Sequence, residues 1–397
     1  MNYVPLRELC SFRHGGTPSK ANASFWQGSI PWVSPKDMKS TLIEEAADHI
    51  SEDAVSGSAT SIVPPGAILV VVRSGILVHS LPIAQVGRPV AFNQDIKAII
   101  PHSDLVSVDF LFWFLRSQAN DVVARGVKKG ATVHSVQSGF IENLLVPVPP
   151  LDRQLQMVDI LSRAEGIVRL RREAQQKAAE LIPAIFIDMF GDPARNPKGW
   201  PVANLGEALL SVDYGCSVKA SADGAGLPII RMSNVTYAGN LDLDDLKYVE
   251  LPPNEIEKYG LQEGDLLFNR TNSKELVGKT ALWDGRLEAV VASYFMRLRV
   301  VPTQIDPTYL WAFLNSKHMK QVLFDTARGA IGQANINSKE LKAFAVMLPP
   351  LDQQHGFKER VEFVNSILRQ QSEALAKATA TFDALLARDP RIAIVGR

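Results

Sequence analysis

Val146-Pro147-Val148-Pro149-Pro150-Leu151-Asp152-Arg153-Gln154 recurs 200 positions later as Val346-Met347-Leu348-Pro349-Pro350-Leu351-Asp352-Gln353-Gln354. A proline pair cannot sit in a helix interior, and the aspartate after it suits a helix start, where free amides and the positive end of the dipole favour an acceptor. Each element therefore closes a globular stretch and opens a helix. Further matches keep nearly the same offset. Ser138 answers to Ser338, Phe114-Leu115-Arg116-Ser117 to Phe313-Leu314-Asn315-Ser316, Gly66-Ala67-Ile68-Leu69 to Gly264-Asp265-Leu266-Leu267, and Ile30-Pro31 to Leu227-Pro228. A collinear series of this kind marks an internal duplication.

Beyond each Pro-Pro-Leu-Asp element the apolar period becomes helical. In the first copy, positions 157, 160, 164, 167, 171, 174, 178, 181 and 185 follow three-four spacing; in the second, 357, 361, 364, 368, 371, 375, 378, 382 and 385 do so. Four heptads in each copy read as a coiled-coil seam. Its expected interface residues are Ile160, Ile167, Arg171 and Leu181 on the first helix, with Val361, Val364, Leu368, Gln371 and Leu375 on the second. Antiparallel pairing centres Arg171 against Gln371, a polar layer that would fix register at some cost in stability. Phe190-Gly191-Asp192-Pro193 reads as the stop of the first helix, and Pro183 is expected to kink its last turns.

The stretches before the helices are rich in Pro, Gly and short β-branched runs such as Ile68–Val72, Ile96–Ile100, Val290–Ala292 and Leu298–Val301. Helical patches interrupt them at Phe110–Leu115 and Tyr309–Leu314. The fold expected is α+β in two tandem repeats, each a globular domain followed by a long helix, the two helices pairing as an antiparallel coiled coil. The boundaries are 1–150 and 200–350 for the domains, 151–192 and 351–388 for the helices.

The 397 residues carry 42 basic and 42 acidic side chains, so the chain is neither a disordered tail nor a basic arm. Two cysteines, Cys10 and Cys216, exclude a disulfide framework and a cysteine-built zinc site. No apolar run reaches the roughly 18–20 residues of a membrane span, and the N-terminus lacks the layout of a secretory signal. A cytoplasmic location is expected.

At these residues the chain resembles the specificity subunits of type I restriction–modification systems. The resemblance covers essentially the whole chain. It is carried by Leu6-Arg7-Glu8-Leu9, Gly28-Ser29-Ile30-Pro31-Trp32-Val33, the twin Pro-Pro-Leu-Asp elements, Phe186 to Gly191, and the segments Gly130–Val136 and Gly329–Asn337. It implies two target-recognition domains, each reading one half of a bipartite, asymmetric DNA site. It also implies helices that separate the domains and dock two adenine-methylating subunits, with restriction subunits joining the complex. S-adenosylmethionine, ATP and Mg are then expected on those partner subunits and not on this chain. The helix span from 157 to 185, about 42 Å, is close to a turn of B-DNA at about 34–36 Å, so helix length would set the non-specific spacer.

Charge alone does not announce a DNA binder, since 12 cations meet 12 anions over 1–150 and 15 meet 17 over 200–350. The isolated chain is expected to bind DNA weakly, with partners supplying phosphate contacts. Arg or Lys reads guanine best in the major groove, and Asn or Gln reads adenine. Glycine-flanked loops bearing those residues supply the candidates. In the first repeat they are Lys36, Arg73, Ser74, Lys128, Lys129 and Thr132. In the second they are Arg231, Asn234, Arg270, Thr271, Asn272, Lys274, Arg328, Gln333 and Asn335. Arg73 and Arg270 are expected to correspond, since each follows a glycine-led strand.

Catalytic and metal motifs are missing. There is no methyltransferase Asn/Asp/Ser-Pro-Pro-aromatic motif, no His-Glu-x-x-His and no Gly-x-Ser-x-Gly elbow. Gly278-Lys279-Thr280 resembles the end of a phosphate-binding loop, but Ser273 stands where that motif needs glycine. A non-catalytic recognition subunit is the leading reading. The alternatives are a protein-interaction scaffold with two binding domains on a coiled-coil spacer, and an enzyme using the incomplete phosphate loop.

Overall fold

A computed structural model describes residues 2–102, 105–130, 133–330 and 333–387. The chain divides into two compact units. One takes the residues through Arg171 together with those from Ala374 onward, and the other is Arg172–Glu373. The division falls within the two long helices, so each unit is a globular part plus half of each helix.

In the first unit a five-stranded sheet runs in the order Cys10–His14, Ile96–Pro101, Ile68–Val71, Ile83–Val86, Leu42–Ile43. All four residues of Ile68–Val71 are buried, which explains a continuous β-branched run where a half-exposed strand would alternate. The helix Val108–Asp121 is capped by Ser107, whose hydroxyl accepts from the Phe110 amide at 3.1 Å. The second unit repeats the plan with four strands, Leu209–Tyr214, Phe295–Val300, Leu266–Asn269 and Thr280–Leu282, and a helix Pro307–Leu314 capped by Asp306. Each unit also closes its own ends with a two-stranded ladder, Asn2–Pro5 on Leu145–Val148 and Val202–Asn204 on Ala345–Met347.

The long helices are Leu151–Phe190 and Leu351–Ala387. Within each unit the beginning of one lies with the end of the other, so they pair antiparallel. In the first unit Met157, Leu161, Leu385 and Leu386 line one crevice, and Trp113 meets the Phe382 ring at 5.8 Å. In the second, Phe186 and Phe190 pack on Phe357 at 5.7 and 5.4 Å. The first helix continues through Pro183 and stops at Gly191, whose φ of +82° suits only glycine. Its last carbonyls are satisfied: Trp200 Nε1 donates to Phe190 O, and Lys198 Nζ to the carbonyls of Asp188 and Met189.

The seam expected on the first helix is displaced by one residue at every second contact. Ile160, Ile167 and Leu181 are exposed (52, 52 and 44%), whereas their neighbours Leu161, Val168 and Ile182 are buried. Each of these sites holds two adjacent apolar residues, so three-four and four-three spacing were equally available, and the core uses four-three. On the second helix Val361 and Val364 are buried, and Leu368 packs on the second unit's core. Leu375 packs on the first unit's core. Arg171 is exposed and belongs to the first unit, and Gln371 is half-buried in the second.

Two glutamines outside the apolar spacing seat the helices. Gln154 is fully buried; its Oε1 accepts from the Ser107 amide at 2.9 Å, and its Nε2 donates to the carbonyls of Leu105 and Pro149 at 3.4 and 2.9 Å. Gln354 makes the same three bonds, to the Asp306 amide and the carbonyls of Gln304 and Pro349.

Candidate nucleic-acid interface

Three segments far apart in the first repeat form one small antiparallel sheet, Val127–Lys128, His134–Val136 and Arg73–Ser74, in that order. The second repeat builds the same sheet from Arg328–Ala330, Gln333–Asn335 and Thr271–Asn272, with Gln333–Asn335 central. The ladders align them residue by residue. Ser135 faces Arg73 on one side and Lys128 on the other; Asn335 faces Thr271 and Arg328. Directly opposed residues share a face with Cβ atoms roughly 5 Å apart. Each sheet therefore presents one cross-strand row, Arg73–Ser135–Lys128 in the first unit and Thr271–Asn335–Arg328 in the second.

Most side chains of these rows are available. Arg73 is 61% exposed and only 4.0 Å from Asp95, Lys128 and Lys129 are exposed, and Arg328 is 86% exposed at 3.6 Å from Glu340. Gln333 and Asn335 are exposed and flank buried Ala334, as alternation in a half-buried strand requires. Three candidates on this sheet are otherwise engaged. Thr271 is buried, the Ser74 hydroxyl accepts from the Ile76 amide, and Asn272 folds onto its own loop, donating to Asn269 Oδ1 and accepting from the Ser273 amide. Thr132 lies outside the described residues.

The ladder also corrects one expected equivalence. The amides of Val72 and Arg270 donate to Asp95 O and Tyr294 O, and their carbonyls accept from Val136 and Ile336. Arg270 thus corresponds to Val72, and Arg73 to Thr271. Arg270 stacks on Tyr214, 4.8 Å from the ring centre, and Lys274 sits 4.4 Å over Phe324.

Lys36, Arg231 and Asn234 belong to a different place, the turn after the strands Ile30–Val33 and Leu227–Ile230. There Asp37 accepts from the Ser34 amide, and Asn234 accepts from the Arg231 amide, the same three-residue closure in both units. Asn234 is buried and donates to the carbonyls of Asp242 and Asp245; Arg231 binds Asp245 through its carbonyl and carboxylate. Both hold the fold through these bonds. Lys36 is exposed and pairs with Asp48 at 2.8 Å.

The incomplete phosphate loop is also accounted for. Lys279 is buried, and its ammonium donates to the carbonyls of Met232 and Val235. It faces its own fold instead of a nucleotide. Both cysteines are buried, and burial pushes the Cys10 thiol up to about 12, too high for a nucleophile. Among the described residues no helix is long and apolar enough to cross a membrane, and no group of three His, Cys, Asp or Glu could hold a metal.

A family model described as the type I restriction modification DNA specificity domain matches residues 1–180 and again 197–375. The chain belongs to this family. The specificity subunit of type I restriction enzyme EcoR124I/EcoR124II from Escherichia coli is 38% identical over 182 residues, 46% of this chain and 45% of that protein. The EcoKI specificity subunit from Escherichia coli (strain K12) is 26% identical over 304 residues, 72% and 65% of the two chains. The putative MjaX specificity subunit of Methanocaldococcus jannaschii is 33% identical over 187 residues, 46% and 44%. The chain thus spans between about half and two thirds of the length of these curated relatives.

Among solved structures, a chain from work on complex assembly and conformational transition of the type I R-M system aligns over 97% of this chain and 96% of its own, with TM-score 0.61 and 19% identity. The S subunit from M. genitalium aligns over 97% and 95%, with TM-score 0.53 and 12% identity. These two likenesses concern the fold.

Proposed function

We propose that this chain is the sequence-specific DNA-recognition subunit of a type I restriction–modification complex. Each unit reads one half of a bipartite, asymmetric site, with domains 1–150 and 200–350 supplying the readers. The carrying observation is that one small sheet is built twice, with different side chains at the same ladder positions. Arg73 and Lys128 suit guanine, whereas Asn335 and Gln333 suit adenine and Arg328 suits guanine. Two equivalent frames with unlike faces are what an asymmetric site calls for.

In this reading the long helices dock methyltransferase and restriction subunits. The chain addresses and its partners catalyse; S-adenosylmethionine, ATP and Mg belong to those partners. A scaffold without nucleic acid would leave the family membership and the paired polar rows without a purpose. Replacing residues 1–150 by those of a divergent family member, followed by methylome sequencing, is expected to change one half of the modified site. Alteration of both halves, or of neither, would refute the division of labour.

A further inference from the structure

In the first unit the strand Arg73–Ser74 of the small sheet runs directly into a single 3-10 turn, Gly75–Val78. Hydrogen bonds fix that turn. The Ser74 hydroxyl accepts from the Ile76 amide at 3.4 Å, and the Ile76 carbonyl accepts from the amides of His79 and Ser80 at 2.9 and 3.0 Å. Leu77 anchors the turn in the core, with 1% of its surface exposed. At three residues per turn, the side chains before and after Leu77 must leave the core. Ile76 and Val78 are accordingly 42 and 46% exposed.

A third apolar side chain lies at the same edge. The strand His134–Val136 packs against the turn, and His134 pairs with Ser74. Val133, the residue before His134, therefore comes to the Gly75 end of the turn, and it is 43% exposed. Exposed Arg73, Lys128 and Lys129 border this patch. Single exposed apolar side chains are ordinary on a protein surface; three together beside a row of cations call for a partner.

The surroundings say which partner. The patch continues the Arg73–Ser135–Lys128 row, whose cations suit a nucleic acid. The apolar group that a base edge offers in the major groove is the 5-methyl of thymine. The second repeat is built differently here. Ser74 and Asn272 share a ladder position, and two and three residues beyond Asn272 stand exposed Lys274 and Glu275, where the first repeat has Ile76 and Leu77. Lys274 lies over the Phe324 ring.

We propose that Ile76, backed by Val133, contacts the 5-methyl group of a thymine neighbouring the base pair read by Arg73. The inference rests on the DNA-recognition reading and adds to it an apolar reader in the first half-site. Such a contact separates T·A from A·T, because the methyl group stands on one strand only.

The test uses the full chain assembled with its methyltransferase subunits, on duplexes carrying the site found by methylome sequencing. Each thymine of the half-site that follows residues 1–150 is replaced in turn by deoxyuridine, which keeps the base pair and removes only the methyl group. One replacement is expected to weaken binding about fourfold, the equivalent of one buried methyl group. Ile76→Ala, a change at an exposed position, is expected to keep the thermal unfolding midpoint and to weaken binding to the thymine duplex by a similar factor. It is also expected to abolish the effect of that replacement, since both changes remove one contact. A deoxyuridine penalty equally large in the parent and in Ile76→Ala would overturn the proposal, as would a half-site in which no thymine methyl matters. Failure of Ile76→Ala to assemble with the methyltransferase subunits would assign the patch to a protein contact and overturn it as well. A modified site in which neither half followed residues 1–150 would instead refute the recognition reading itself.

Discussion

The two halves of this molecule agree where they hold the helices and disagree where they face outward. Gln154 and Gln354 make the same three bonds to equivalent groups. The small sheets share their ladder, yet Arg73, Ser135 and Lys128 stand where the other sheet has Thr271, Asn335 and Arg328. A frame kept in duplicate, with faces that have diverged, separates residues that carry structure from residues that carry information.

The sharpest way to break this contrast is to remove a glutamine. Gln354→Leu leaves an amide and two carbonyls buried without partners, and is expected to cost about 3 kcal/mol. A urea-unfolding midpoint followed by probes in the second unit measures it. If the midpoint stayed within error of the parent, the seating role assigned to the glutamine would be wrong.

The seam offers a comparison between neighbours. Ile182→Ala is expected to destabilise by about 2–3 kcal/mol, and Leu181→Ala by under about 1, because only Ile182 is buried. Thermal unfolding of the two variants side by side decides it, and equal losses would restore the displaced register. The smallest expected effect on stability is at the reading row. Asn335→Ala is expected to leave stability unchanged and to relax discrimination at one base of one half-site by about 1–2 kcal/mol. Methylome sequencing that showed the same site at the same stringency would remove Asn335 from the reading row.

Much of this architecture was legible from the duplication. The Pro-Pro-Leu-Asp elements place both helix starts at Leu151 and Leu351, and Gly191 places one stop. The seam of the first helix is ambiguous in the sequence because Ile160-Leu161, Ile167-Val168 and Leu181-Ile182 satisfy two spacings. The duplication itself resolves the tie. Subtracting 200 from 361, 368, 375 and 382 gives 161, 168, 175 and 182, the phase in which Leu161, Val168 and Ile182 are buried. The same offset assigns 171 and 371 to one heptad position.

The candidate interface was legible in composition but not in arrangement. Loops bearing Arg73, Lys128, Arg328 and Asn335 were identified, whereas their assembly into a row depends on strand pairing between distant segments. Asn234 holds a turn, since a short amide side chain suits a turn as well as a base edge. Its equivalence to Asp37, which closes the same turn, is visible only once the strands are aligned.

The buried glutamines bond only to main-chain groups: the amides of Ser107 and Asp306, and carbonyls of Leu105, Pro149, Gln304 and Pro349. Such a socket is indifferent to the side chains of whatever is plugged into it. A foreign globular module with a similar backbone path meets this socket unchanged and has only the side-chain contacts to refit, such as Trp113 on Phe382, so new addresses can be acquired by wholesale exchange instead of gradual repair.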